Sequence, residues 1–316
     1  MVLLAPKLPA ARRKPRIGTV VRCYSLFDRF FPACGLLDYT EGIYHGNSTT
    51  PYDIAQKNQL NYVLNEAGCT AGTRILEIGC GYGTLLDEMR ERRASGIGIT
   101  VSPEQAALCR SRGLDVRLLN YLDLDDAWTH QFDAVIANGP IEHFVQPADA
   151  AAGLTNEIYR RFFEICHRTI DPSSPIRRLV TTTIHFVRTP DPCNLVKSPL
   201  AFRWGSDDFH WAMLAKSFGG WYPVRGQFKH CAAGLFHDIH TADGTYDYHL
   251  TSEEWLRRIR AVLPTAKGME ILAGALPFAI CHPIQFATML TCMLSSQSWN
   301  WQFRGPHPPT KLIRQT

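Results

Sequence analysis

The chain has 316 residues, 45% of them hydrophobic and 20% charged, with 23 glycines and 20 prolines. That content buries a full core and excludes disordered, collagen-like and low-complexity chains. A formal net charge of +4 falls well short of a dedicated nucleic-acid binder. The length fits one large domain, or one domain with a long insertion.

The start is basic. Lys7, Arg12, Arg13, Lys14, Arg16 and Arg22 all precede the first acid, Asp28. Such a start reads as a transit peptide, a membrane-surface arm or a solvated tail, and the tail is the preferred reading. It is not a secretory signal, because the short apolar piece 2–5 comes before the basic run. The 10 cysteines are scattered with no CxxC pair, so no structural zinc site is assigned. Several sit in apolar runs, and a reducing, cytoplasmic compartment is expected. The longest apolar stretch, 277–294, is broken by His282, Pro283 and Gln285 and cannot span a bilayer.

From about residue 50 the pattern alternates. Residues 51–67 read as a helix and 74–78 as a short buried strand stopped by glycine. A helix is predicted over 83–93, a strand over 96–99, and a helix over 103–112 with Ser102 as N-cap and Pro103 at its first position. Strands follow at 116–119 and 132–137, then a helix at 155–168 and a β-branched strand at 178–187. Strands alternating with helices indicate βαβ units and a parallel sheet. The expected fold is α/β: a doubly wound Rossmann-like sheet with helices on both faces and an N-terminal helical arm. Residues 188–250 lose the alternation and are rich in aromatics, His and Gly. They read either as a lid over a substrate, spanning 189–246, or as a second small core. A helix with a capping-box-like start is predicted at 252–262, and a last strand at 298–303. The expected division is an arm and cofactor-covering segment (1–50), a cofactor-binding core (51–187), a lid (188–250) and a completion of the core (251–316).

Glu77-Ile78-Gly79-Cys80-Gly81-Tyr82-Gly83 follows a strand and opens a helix. Glycines there permit a tight turn and close approach of backbone to a ligand. The spacing is GxGxG, not GxGxxG, and Glu77 would repel a pyrophosphate and attract a cation, such as an ammonium beside a sulfonium. At this point the chain resembles the class I S-adenosylmethionine-dependent methyltransferases. Within them it is most similar to the cyclopropane-fatty-acid-synthase-like group. The resemblance is carried by segments 38–42, 76–83, 98–105, 119–123 and 141–144, and more loosely by 248–251 with Trp255. It implies S-adenosyl-L-methionine as cofactor. Gly79, Gly81 and Gly83 would line its methionine and ribose part, and Tyr39 and Thr40 would hold its carboxylate end. Thr100 and Gln105 stand where many methyltransferases place an acid on the ribose. Asn120 and Tyr121 would flank the adenine.

Glu142 and His143 follow the fourth strand, at the sheet edge where open α/β folds bind ligands. The resemblance makes Glu142 a candidate acid or base; the matching Glu of the group helps to hold a bicarbonate. Tyr248 matches a Tyr that reaches the reacting centre, and His143 is a weaker catalytic candidate. Two departures stand out. The group carries a Cys where this chain has Glu41, and a His where it has Thr182. A carboxylate at Glu41 would repel an anion beside Glu142. Bicarbonate-assisted cyclopropanation is therefore disfavoured, and the paired carboxylates read as a base for an amine, hydroxyl or activated carbon, or as charges that steer a cationic intermediate. His237 and His240 lack a visible third ligand, so no metal site is assigned. Asn138-Gly139-Pro140-Ile141 does not fit the Asn/Asp-Pro-Pro-aromatic pattern of base-amine methylation.

The expected function is methyl transfer to a compact, largely apolar small molecule in a specialised biosynthetic pathway. The alternative is methylation or cyclopropanation of an unsaturated lipid acyl chain at a membrane surface. The expected partner is a small-molecule or lipid substrate, with no nucleic acid. Peripheral membrane contact through the basic N-terminus and a homo-oligomer are left open.

Overall fold

The structure is a computed structural model that describes residues 18–36, 38–237, 240–295 and 310–315. In chain order the elements are α1 (Gly18–Phe30), α2 (Tyr52–Glu66), β1 (Arg74–Ile78), α3 (Thr84–Glu91), β2 (Ser95–Thr100), α4 (Pro103–Ser111), β3 (Val116–Leu118), β4 (Ala134–Asn138), α5 (Pro147–Ala151), α6 (Thr155–Thr169) and β5 (Arg178–His185). They continue with α7 (Pro192–Leu195), α8 (Asp207–Phe218), α9 (Gln227–Cys231), β6 (His240–Asp243), α10 (Thr245–Val262), α11 (Ala266–Gly274), α12 (Leu276–Cys281), α13 (Pro283–Ser295) and β7 (Thr310–Gln315).

The strand order is β3-β2-β1-β4-β5-β7-β6. β1 to β5 are parallel, and β7 runs antiparallel to both β5 and β6. Alternate residues of each central strand enter different cores. Ile75, Ala134, Ile136 and Val180 pack with Leu64 of α2, Met89 of α3 and Cys109 of α4. Leu76, Val135, Ala137 and Leu179 pack with Phe30 of α1, Phe162 of α6 and Leu256 of α10. A period of two with both faces covered is what a doubly wound parallel sheet requires. The doubly wound reading of the sequence is therefore correct. The Ser102 cap is also present: its Oγ accepts from the Gln105 N–H at 3.2 Å, with Pro103 at the first helical position.

Four local expectations change. The chain is not a solvated tail from Gly18 onward. α1 buries Val20, Cys23, Leu26, Phe27 and Phe30 at helical spacing and joins the main core. The helix expected to start at a Ser252 cap begins at Thr245 instead. Ser252 lies in its interior, where its Oγ donates to His249 O at 2.9 Å. Residues 188–250 are more regular than their composition suggests, because they form α7, α8, α9 and the edge strand β6. Phe209, Trp211, Trp221 and Phe228 belong to the main core and form no second one. The strand expected at 298–303 lies outside the described residues. His282 does interrupt the apolar C-terminal stretch, capping α12 before α13 starts at Pro283. No helix of the described residues is long and apolar enough to cross a membrane.

Candidate active site

The C-terminal ends of β1 to β5 open onto one cavity, roofed by α1 and α10. On the β1–β3 side it is lined by Gly79, Gly81, Thr100, Gln105, Asn120 and Tyr121. On the β4–β5 side it is lined by Glu142, His143, Ile184, Tyr222 and Tyr248, and Tyr39 and Thr40 also face it. Three sequence candidates lie outside the wall. Gly83 caps the start of α3, where a Cβ would meet Leu114 and Cys109 Sγ. Glu77 lies under the glycine turn, and Glu41 is fully buried.

The turn itself is fixed by close packing. Gly79 has φ +76°, and a Cβ there would come within 2.7 Å of the Pro140 ring. Gly81, by contrast, leaves room on the cavity side: the nearest atom to a Cβ would be Tyr39 Cδ2 at 4.0 Å. Glu77 Oε2 is buried with no hydrogen-bond partner. Burial pushes the Glu77 carboxyl well above its usual range, and the nearby Asp38 adds to the rise. Asp38 lines the cavity and is raised by burial too, against bonds from Thr84 and the Tyr39 and Thr40 backbone. A buried acceptor left without a donor costs about 1–3 kcal/mol. The unsatisfied Glu77 carboxyl, with Asp38 beside the open glycine turn, fits the ammonium of an amino-acid-bearing cofactor such as S-adenosyl-L-methionine.

At the end of β2, Thr100 Oγ1 donates to Gln105 Oε1 at 2.9 Å and accepts from the Ser102 N–H at 3.2 Å. Gln105 Nε2 then points at Asp28 Oδ1, 3.4 Å away. Asp28 reaches this place from α1, and it also accepts from Tyr39 Oη and from Ser102 Oγ at 3.4 Å. One carboxyl therefore ties the roof helix to β2 and to Tyr39. Asp28→Ala removes that tie. It is expected to destabilise the chain by about 1.5–3 kcal/mol, read as a lower urea midpoint at unchanged slope.

On the β4–β5 side, the backbone fixes the acid. Glu142 sits in the turn after β4, and its Oε1 accepts from the Ile184 N–H of β5 at 2.7 Å. Its own carbonyl accepts from the Trp221 N–H at 3.0 Å. Tyr248 stands close to both carboxylates: burial pushes its phenol up, and the charges of Glu142 and Glu41 push it further. His143 Nε2 pairs with Tyr24 Oη of α1 at 2.7 Å. Thr182 Oγ1 donates to Asn138 Oδ1 at 2.8 Å, and Gln59 Nε2 donates to the same oxygen at 3.0 Å. The orientation of that amide is thus set, and its Nδ2 reaches Thr40 Oγ1 at 3.5 Å.

Sequence reasoning missed Asp28, Asp38, Asn138 and Tyr24. The lone acid at Asp28, directly after the apolar Leu26 and Phe27 in a basic stretch, was the available signal. Among the described residues, no group of three or more His, Cys, Asp or Glu stands ready to hold a metal ion.

The profile of the mycolic acid cyclopropane synthetase family matches residues 12–197. The cyclopropane-fatty-acyl-phospholipid synthase of Escherichia coli K12 is 33% identical over 125 residues, covering 38% of this chain and 29% of that protein. Cyclopropane mycolic acid synthase 2 of Mycobacterium leprae is 29% identical over 175 residues, covering 51% and 54% respectively. The aligned part is thus about a third to a half of the length of these curated relatives. The solved cyclopropane synthase MmaA2 from Mycobacterium tuberculosis superposes with a TM-score of 0.71 at 17% identity, over 95% of this chain and 98% of that one. At that identity the likeness establishes the fold.

Proposed function

Because this chain belongs to the mycolic acid cyclopropane synthetase family of S-adenosylmethionine-dependent enzymes, we propose that it transfers a methyl group to a largely apolar acceptor, in the first instance a compact small molecule. The observation that carries this reading is that Gly79, Gly81, Glu142 and Tyr248 line one cavity. S-adenosyl-L-methionine, when bound, supplies an electrophilic methyl group on a sulfonium. Asp38, which lines the cavity, would hold its ammonium with Glu77 beneath the turn adding its charge, Gln105 would hold its ribose side, and Asn120 and Tyr121 its adenine.

The chain's own residues do the rest. α1 and α10 contribute to the cavity wall, and Phe27, Phe31, Tyr222 and Trp255 make it aromatic, which suits an apolar acceptor or a developing positive charge. Glu142 is pinned by the Ile184 N–H, so one oxygen is positioned and the carboxylate can take a proton from the acceptor. Glu41 and Tyr248 shape the field around it. The charges of Glu142 and Glu41 both act on Tyr248, which does not favour a bound anion beside it. That supports direct transfer over bicarbonate-assisted ring closure. An acyl-chain acceptor is the second reading. It is favoured by the relatives, whose names include a cyclopropane-fatty-acyl-phospholipid synthase and a probable fatty acid methyltransferase from Pseudomonas putida.

Glu77→Gln tests the cofactor half. The carboxyl is raised by burial, so it is neutral in the free protein at low pH and must lose its proton to pair with an ammonium. Affinity for S-adenosylhomocysteine is therefore expected to rise as the pH climbs above the ordinary carboxylate range. In Glu77→Gln the affinity should fall about 10- to 100-fold and lose that pH dependence. Calorimetric titration at several pH values reads both. A pH-independent wild type, or an unweakened variant, contradicts the role.

A further inference from the structure

The cavity carries charge of one sign. Among the described residues that line it, Asp38 and Glu142 are acids, and there is no Lys or Arg. Asp38 stands at the glycine turn, and Glu142 stands at the acceptor end. His143, beside Glu142, holds its Nε2 against Tyr24 Oη at 2.7 Å. Three tyrosines stand around the Glu142 carboxylate. Tyr24 of α1, Tyr222 and Tyr248 of α10 all line the cavity, and the charge of Glu142 acts on each of their phenols. Burial pushes all three well above the usual phenol range, and Glu142 adds to the rise. They therefore stay protonated near neutral pH, and they bring ring faces and hydroxyls but no charge. Phe27, Phe31 and Trp255 add further rings to the same wall.

This surrounding discriminates between acceptors by their charge. The face of an aromatic ring attracts a cation, and a carboxylate nearby adds directly to that attraction. An acceptor bearing a carboxylate or phosphate at this end would meet Glu142 with no lining Lys or Arg to offset it. A neutral alcohol or alkene would gain the apolar contacts and nothing from the charge. A protonated amine on an apolar body uses the carboxylate, the rings and the apolar wall together. It also presents Glu142 with a proton that must leave before the nitrogen can react.

We propose that the methyl acceptor is the nitrogen of a compact apolar amine, bound as its ammonium between the Glu142 carboxylate and the rings of Tyr24, Tyr222 and Tyr248. The inference rests on the methyl-transfer reading and names its substrate class. The ammonium N–H proton passes to the Glu142 carboxylate. The freed nitrogen lone pair then forms the new N–C bond as the methyl C–S bond breaks, and the electron pair of that bond stays on sulfur. The products are S-adenosylhomocysteine and the methylated ammonium, and the proton on Glu142 returns to solvent.

The test is calorimetric titration of three probes of similar size into the full chain saturated with S-adenosylhomocysteine: 2-phenylethylamine, 2-phenylethanol and 3-phenylpropanoate. The wild type should bind the amine about tenfold tighter than the alcohol, and the carboxylate more weakly than either. Glu142→Gln keeps an oxygen for the Ile184 N–H, so the pocket keeps its shape. In that variant the amine should lose about tenfold in affinity, while the alcohol and S-adenosylhomocysteine bind as before. Should the variant misfold, the wild-type ranking of the three probes decides. Equal affinity for amine and alcohol overturns the proposal, as does tighter binding of the carboxylate or binding of none of the three. An amine preference that survives Glu142→Gln overturns it too. If S-adenosylhomocysteine does not bind, the probes are titrated without it. An amine preference then supports the ammonium site and removes the cofactor reading, whereas S-adenosylhomocysteine binding with no amine preference removes this inference alone.

Discussion

Glu142→Gln is expected to lower kcat about 10²- to 10⁴-fold, the usual contribution of a positioned general base, with cofactor affinity unchanged. The substitution is well suited to this site. Glu142 Oε1 accepts from the Ile184 N–H at 2.7 Å, and an amide oxygen can accept the same bond. The turn after β4 therefore keeps its anchor and the cavity keeps its wall. What is lost is the capacity to take a proton and the negative charge facing Tyr248. If Glu142 only anchored the turn, the amide would serve as well and kcat would stay near the wild-type value. Single-turnover rates with labelled S-adenosylmethionine, beside a titration with S-adenosylhomocysteine, separate the two cases.

Gly220→Ala should cost about 3–5 kcal/mol and most of the activity. Gly220 has φ +90°, and a Cβ there would lie 2.1 Å from Glu142 O. The next residue, Trp221, donates its N–H to that same carbonyl. The methyl group cannot be accommodated unless the Glu142 backbone moves, and that moves the proposed base. Gly226→Ala is the matched control. Its φ is +83°, but nothing lies within 4 Å of a Cβ. It should show only the conformational cost of a left-handed alanine, about 1 kcal/mol, and normal turnover. Equal effects at the two positions would mean that strain alone, and not the clash with Glu142, accounts for the loss.

The central sheet was legible because its strands are short, apolar and stopped by glycine or polar turns. β1 and β4 need no partner knowledge to be recognised. The Ser102–Pro103 helix start was equally plain, since capping is local chemistry. Elements whose stability comes from elsewhere were not legible. α1 carries a clear stripe from Val20 to Phe30, but six basic residues before Asp28 made the region read as a tail. β6 is a four-residue edge strand with exposed and half-buried residues and little apolar alternation. Its pairing with β7 spans some 70 residues of sequence, which local pattern cannot report.

The site divides the same way. The glycine turn, Thr100, Gln105, Glu142 and Tyr248 lie in segments with a recognisable motif, and the fold brings most of them to one cavity. Gly83 went the other way: it shares the motif but supports α3 instead of the cavity wall. Asp28 sits 77 positions from Gln105 and meets it only because α1 roofs the sheet. Asp38 is similar, held by Thr84 across the start of α3. Such residues become visible only once the long-range packing is known.

The Gly79 and Gly81 backbone and the buried carboxyls at Glu77 and Asp38 together make up the proposed cofactor site. Calorimetric titration of S-adenosylhomocysteine into the folded wild-type chain measures this directly. Saturable binding at one site per chain, weakened by Glu77→Gln and unaffected by Glu142→Gln, is the predicted result. A folded wild type that binds no S-adenosylhomocysteine would contradict it.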